Sequence, residues 1–154
     1  MALLAMVSVF RSGAREECHN IASNVGTHPS GALAFECSPF AIPVRYLLVQ
    51  KSVGDNQIAT NSATSRPWGV LIDEPGVGDM ATVLLCGCAP GTIKMVANAA
   101  IFAGSPVYTA AGGKVSPTFG PTLYMVGRAV TAAAADGDLI EVAHCFPLLN
   151  SAAL

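Results

Sequence analysis

Residues 80–111 read MATVLLCGCAPGTIKMVANAAIFAGSPVYTAA, and Lys94 is their one charged side chain. Gly87, Pro90, Gly91, Gly104 and Pro106 break the run every few residues, leaving pieces too short for helices. Uncharged apolar pieces of that length describe β-strands covered on both faces, either within a domain or within an assembly. A catalytic cleft needs ionisable groups, and this stretch has almost none.

The same pattern extends outward from Trp68 to Cys145. Strands are predicted at Trp68–Ile72, Ala81–Cys86, Thr92–Ala97, Pro106–Thr109, Lys114–Ser116, Leu123–Ala129 and Leu139–Cys145. Gly112-Gly113 supplies the positive φ angles of a tight hairpin between Val107-Tyr108 and Lys114-Val115. Asp136-Gly137-Asp138 offers Asx hydrogen bonds and a left-handed Gly ahead of the last strand. By period-two alternation Ile93 and Met95 face away from Thr92 and Lys94, and Ile140, Val142 and His144 share a face that excludes Glu141. Upstream, Ala41–Val49 (AIPVRYLLV) is the first convincing strand. The polar segment Lys51–Arg66 reads as a surface loop with a weak strand at Asn56–Thr60. Only Thr131–Ala135 (TAAAA) favours helix, for about one turn.

Residues 1–40 follow neither a 3.6 nor a 2 period for long and carry a turn cluster at Asn24, Gly26, Pro29, Ser30 and Gly31. They read as an extended N-terminal arm or a loose strand-and-loop lead-in, and residues 41–154 as one domain. Many short strands at close spacing, without a repeat of 20–50 residues, give an all-β fold: a small β-barrel or β-tulip-like domain.

At 154 residues the chain is long enough for a core without metals or disulfides. Its 12% charged residues are about half the usual share, against 52% hydrophobic ones. So few charges cannot cover the surface of a monomer, so the apolar excess is expected to meet other protein. No window reaches the roughly 18 uninterrupted apolar residues of a spanning helix. The apolar opening Met1–Phe10 stops at Arg11, lacks the basic flank and cleavage site of a secretory signal, and reads as an arm that docks on a neighbour. A net charge of −2 with scattered Lys and Arg gives no footprint for nucleic acid. Five irregularly spaced cysteines, Cys18, Cys37, Cys86, Cys88 and Cys145, do not describe a disulfide framework. They are expected to be reduced, buried and free of metal.

The motifs that could carry chemistry have plainer readings. Gly76-Val77-Gly78-Asp79-Met80 looks like a nucleotide loop, but a strand follows where a phosphate-binding helix would have to start, so it reads as a tight turn. Cys86-Gly87-Cys88 lacks the second ligand pair of a zinc site. Cys18-His19 and His144-Cys145 are adjacent residues, which in a strand point to opposite faces. There is no Gly-x-Ser-x-Gly elbow and no His-Glu-x-x-His helix. Asp73, Glu74, Asp136 and Asp138 fall in turns, where carboxylates are solvated or capping. No catalytic, cofactor-binding or metal-binding residue is therefore assigned, no cofactor is implied, and the chain is not expected to be an enzyme. Trp68, the single tryptophan, reads either as a plug at one end of the barrel or as an interface anchor.

The order of signals from Trp68 onward resembles the tailed-phage capsid cement, or head decoration, family. The resemblance rests on Gly69-Val70-Leu71, the apolar strand at Val83-Leu84, and Ile101, Gly104, Val107 and Tyr108 in an Ile-x-x-Gly-x-x-Val-Tyr segment. It continues through Gly112–Val115, Val126–Ala129, the alanine run, Asp136-Gly137-Asp138 and a final strand. It covers about the second half of the chain; the first 40 residues and Cys86-Gly87-Cys88 lie outside it. The resemblance implies a subunit, often a homotrimer, on the outer surface of a virion head, made in the host cytoplasm. It binds the major capsid protein lattice and stabilises it, with no direct contact to nucleic acid or membrane. The alternatives are another virion module, such as a tail or fibre-base β-domain, or a small β-barrel enzyme or ligand-binding domain.

Overall fold

The computed structural model describes residues 31–150, so the apolar opening Met1–Phe10, most of the turn cluster and Cys18-His19 lie outside the described residues. The strands in chain order are β1 (Ala32–Cys37), β2 (Leu48–Lys51), β3 (Gln57–Thr60), β4 (Gly69–Leu71), β5 (Met80–Leu85) and β6 (Ile93–Val96). They continue as β7 (Pro106–Thr109), β8 (Val115–Ser116), β9 (Tyr124–Ala129), β10 (Leu139–Ala143) and β11 (Leu148–Leu149). A 3-10 turn at Ala111–Gly113 is the one helical piece among the described residues. The fold is all-β, as expected.

The first five strands close into a barrel, in the order β1-β3-β2-β4-β5. Within it β1 and β3 are parallel, and the other pairs are antiparallel. The remaining strands form a second sheet, ordered β6-β10-β9-β7-β8, with β11 on the part of β9 that β10 leaves open. A parallel bridge between Ala97 and Val115 brings the end of β6 to β8 and curls this sheet on itself.

Alternation along the strands fills two cores. Phe35, Cys37, Val49, Ile58, Leu71, Ala81 and Val83 point into the barrel. Leu48 and Val70, on the outer face of β2 and β4, pack with Ile93, Met95, Val107, Val126, Ile140 and Val142 of the second sheet. Leu48, Val49, Val70 and Leu71 are all fully buried, so these two strands are covered on both faces within one chain. Part of the apolar excess thus closes on itself. In β6 the predicted alternation holds: Ile93 and Met95 are buried, Thr92 and Lys94 exposed, and Val96 turns to the barrel core.

Five local expectations are corrected. Ala41–Val49 is strand only from Leu48: Ile42 donates its N–H to Pro75, Pro43 has no N–H, and Tyr46 is left-handed at φ 66°. Tyr46 donates to the Leu71 carbonyl at 2.7 Å and accepts from Val96 at 3.2 Å, which ties the barrel to β6. Within the stretch read as lead-in, β1 pairs with β5 from Ala32 opposite Leu84 to Glu36 opposite Met80, so the barrel begins before residue 41. Its alternation is hidden in sequence because Ala32 and Ala34, on its outer face, are themselves apolar. Thr131–Ala135 forms no helix, because Ala133 bridges Ile101 and the Asp138 carboxylate accepts from Ala134 and Ala135 at 2.7 and 3.0 Å. Finally, the last predicted strand stops at Ala143, since His144 at φ 56° turns outward and Cys145 takes the inward place. The fifth is β11, for which no strand was expected.

The turn readings hold. Gly112 and Gly113 both have positive φ in the β7–β8 connection, and a Cβ on Gly113 would come within 2.6 Å of the Leu48 carbonyl. That close approach lets the hairpin sit against the barrel. Gly76–Asp79 is a tight turn closed by Asp79 N–H to the Gly76 carbonyl at 3.2 Å, with Gly78 left-handed.

Candidate functional site

Trp68 extends the β4 ladder by one residue. Its N–H donates to the Val49 carbonyl at 2.8 Å, and its carbonyl accepts from Cys86 at 2.9 Å. Side chains two apart share a face, so Trp68 lies on the side that carries Val70, and Cys86 on the side that carries Leu84. The second sheet packs over Val70 and Leu84 but leaves Trp68 47% exposed. The plug reading of Trp68 is therefore corrected: its side chain stands on the outer wall of the barrel, because alternation from the outward Val70 dictates it.

Facing it is the break between β10 and β11. Past the left-handed His144, Cys145 is buried while Phe146 is 59% exposed. The Phe146 ring lies over Gly87, where an added Cβ would come within 3.0 Å of it. Arg66, Pro67, Trp68, Cys86, Phe146 and Pro147 line a groove of about 440 Å³. Beyond it, β11 pairs Leu148 with Met125 and Leu149 with Tyr124. Adjacent strand residues face opposite ways, yet both leucines are more than half exposed. Sequence reasoning missed β11 because Pro147 obscured it; the run Phe-Pro-Leu-Leu after Cys145 was the available signal.

The cysteines near the groove are poor nucleophiles. Burial pushes the Cys86 thiol up to about 12, with Cys145 and Cys88 adding to the shift, and burial pushes Cys145 up to about 11. Thiolates are the reactive species, so these two are nearly inert at neutral pH. Cys37, Cys86, Cys88 and Cys145 are all free. Burial was expected for each; Cys37 and Cys145 are buried, but Cys86 is half-buried where β5 ends and Cys88 is exposed in the loop that follows.

The carboxylates of the turns are engaged in structural contacts. Asp73 accepts from Thr82 N–H at 2.7 Å and Asp79 from Gly76 N–H at 3.0 Å. Glu74 pairs with Arg45 at 3.0 Å and Asp136 with Lys114 at 2.7 Å. The last two pairs flank a second, more open cleft of about 640 Å³ between barrel and sheet, with Val44, Tyr46, Val96 and Leu139 on its walls. His144 and Cys145 point apart, one exposed and one buried. Among the described residues no three His, Cys, Asp or Glu side chains gather closely enough to hold a metal ion. What the geometry offers is apolar contact surface: Trp68, Phe146, Leu148 and Leu149 on one side, with Phe40, Phe102 and Phe119 exposed elsewhere.

No protein-family model matches the chain, and no curated protein matches it in sequence. Among solved structures it is similar to the crystal structure of the head fiber gp8.5 N base in bacteriophage phi29. The two are 22% identical, with a TM-score of 0.59 over 78% of this chain and 94% of that chain. At that identity the likeness is one of fold.

Proposed function

We propose that this chain is a structural protein of a bacteriophage virion, attached to the outside of the assembled head through apolar surface and catalysing no reaction. The observation that carries the reading is the shared fold with a head-fiber base, which extends over nearly all of that base. The exposed aromatic and leucine side chains support it, because a chain this poor in charge needs protein contacts to cover them. The sequence resemblance to capsid cement proteins points to the same part of a virion. The partner is then the major capsid protein, with self-association, as a homotrimer, presenting several copies of the same contact. A protein that binds only the assembled lattice stabilises it by mass action, and repetition lets modest contacts suffice.

Two forms of this role differ in what the domain carries. A cement or decoration subunit stiffens the shell by itself, whereas a fiber base anchors a longer appendage. The fold likeness fits both forms equally. The test compares particles made with and without the protein. We expect it to co-purify with heads and to raise their thermal rupture temperature if it is cement, or to be needed for an attached fiber if it is a base. Absence from purified heads, or heads unchanged in both respects, sinks the proposal.

A further inference from the structure

We propose that the groove between Trp68 and Phe146 is filled by the apolar segment Met1–Phe10 of the same chain. The inference does not rest on the virion role. Its first support is where the chain enters the described fold. Gly31 accepts from Leu85 N–H at 2.8 Å, and an added Cβ there would lie 2.7 Å from the backbone of Cys88 and Ala89. The same loop holds Gly87, over which the Phe146 ring lies. The chain therefore arrives beside the groove.

Reach and chemistry agree with that placement. Residues 11–30 lie between the segment and Gly31, and fully extended they span up to about 65 Å, so the groove is well within range. The segment, MALLAMVSVF, has no charged side chain, and its methionines and leucines adapt to irregular apolar walls. Those walls are Pro67, Trp68, Phe146 and Pro147, with Arg66 the one charged lining residue among the described residues. A tether of this kind presents the segment at about millimolar effective concentration, above that of a second copy in dilute solution. The neighbouring subunit expected from the sequence thus becomes the concentration-dependent outcome of the test.

Trp68, the single tryptophan, reports occupancy directly. In the full chain, Leu3→Asp with Leu4→Asp is expected to shift Trp68 emission to the red and to increase its quenching by acrylamide, with the far-UV circular dichroism unchanged. Val53→Asp, at a fully exposed site, should move neither. The emission of the parent chain should not change on serial dilution. As a second readout, a bis-maleimide should link Met6→Cys to the exposed Cys88 within one molecule. The proposal is overturned if the double variant matches the parent in emission and quenching, or if dilution uncovers Trp68. It is equally overturned if residue 6 links to Cys88 only between molecules or not at all.

Discussion

His144 and Tyr46 are the two non-glycine residues with left-handed backbone among the described residues, and each redirects a strand. At His144 the turn moves the inward position by one residue, so that Cys145 is buried and Phe146 is turned to the surface. Burial of Cys145, together with the desolvation of Cys86, has a consequence for pH. The two thiols sit at about 11 and about 12 in the fold, against 9.0 when unperturbed. Between those values the unfolded chain binds fewer protons than the native one. Their contribution to stability is therefore full below about pH 9 and is lost as pH rises through the folded values. We expect the urea midpoint to fall between about pH 8 and about pH 10.5, and to fall less in a Cys86→Ala/Cys145→Ala variant. An equal fall in both would remove the thiols as its cause. The same thiols should be the slower ones to alkylate, after Cys88.

At the scale of elements, β2 and β4 matter most, since each is buried on both faces. The fully buried Leu48 connects the barrel wall to the core of the second sheet. Leu48→Ala is expected to cost about 2–5 kcal/mol, through lost burial and the cavity left behind. Leu149→Ala, on the exposed β11, should change stability by no more than about 0.5 kcal/mol. Chemical denaturation of the two variants checks this, and comparable losses would mean that β11 is core. The two strands also differ in legibility. The β4 run Gly69-Val70-Leu71 was readable because Val70 and Leu71 lie in an uncharged apolar run bounded by Pro67 and Asp73, whereas β1 hid behind outward alanines and β11 behind a proline.

For the molecule as a whole, the balance of surface chemistry decides how it binds. With 12% charged residues and a net charge of −2, the chain has little with which to steer or hold a partner electrostatically. On the proposed role, attachment through exposed apolar side chains such as Phe40, Phe102, Leu148 and Leu149 should depend weakly on salt and weaken on cooling, as apolar contacts do. Sedimentation of the protein with heads at low and high salt measures this. Release by moderate salt would point instead to the ion pairs beside the second cleft, Arg45–Glu74 and Lys114–Asp136.

The sequence by itself determined the all-β class, most strands from Trp68 onward, the glycine turns and the structural character of the turn carboxylates. These depend on local alternation, on positive φ and on short-range hydrogen bonds, all of which are written in neighbouring residues. Only the tertiary structure decided that β2 and β4 are covered on both faces by the chain itself, through a barrel stacked on a curled sheet, while β5 and β6 keep one face partly open. It alone brought Trp68 and Phe146, 78 positions apart in sequence, to one groove beside Gly31. Such juxtapositions follow from which strands pair and which faces stack, and nothing in a local window encodes them.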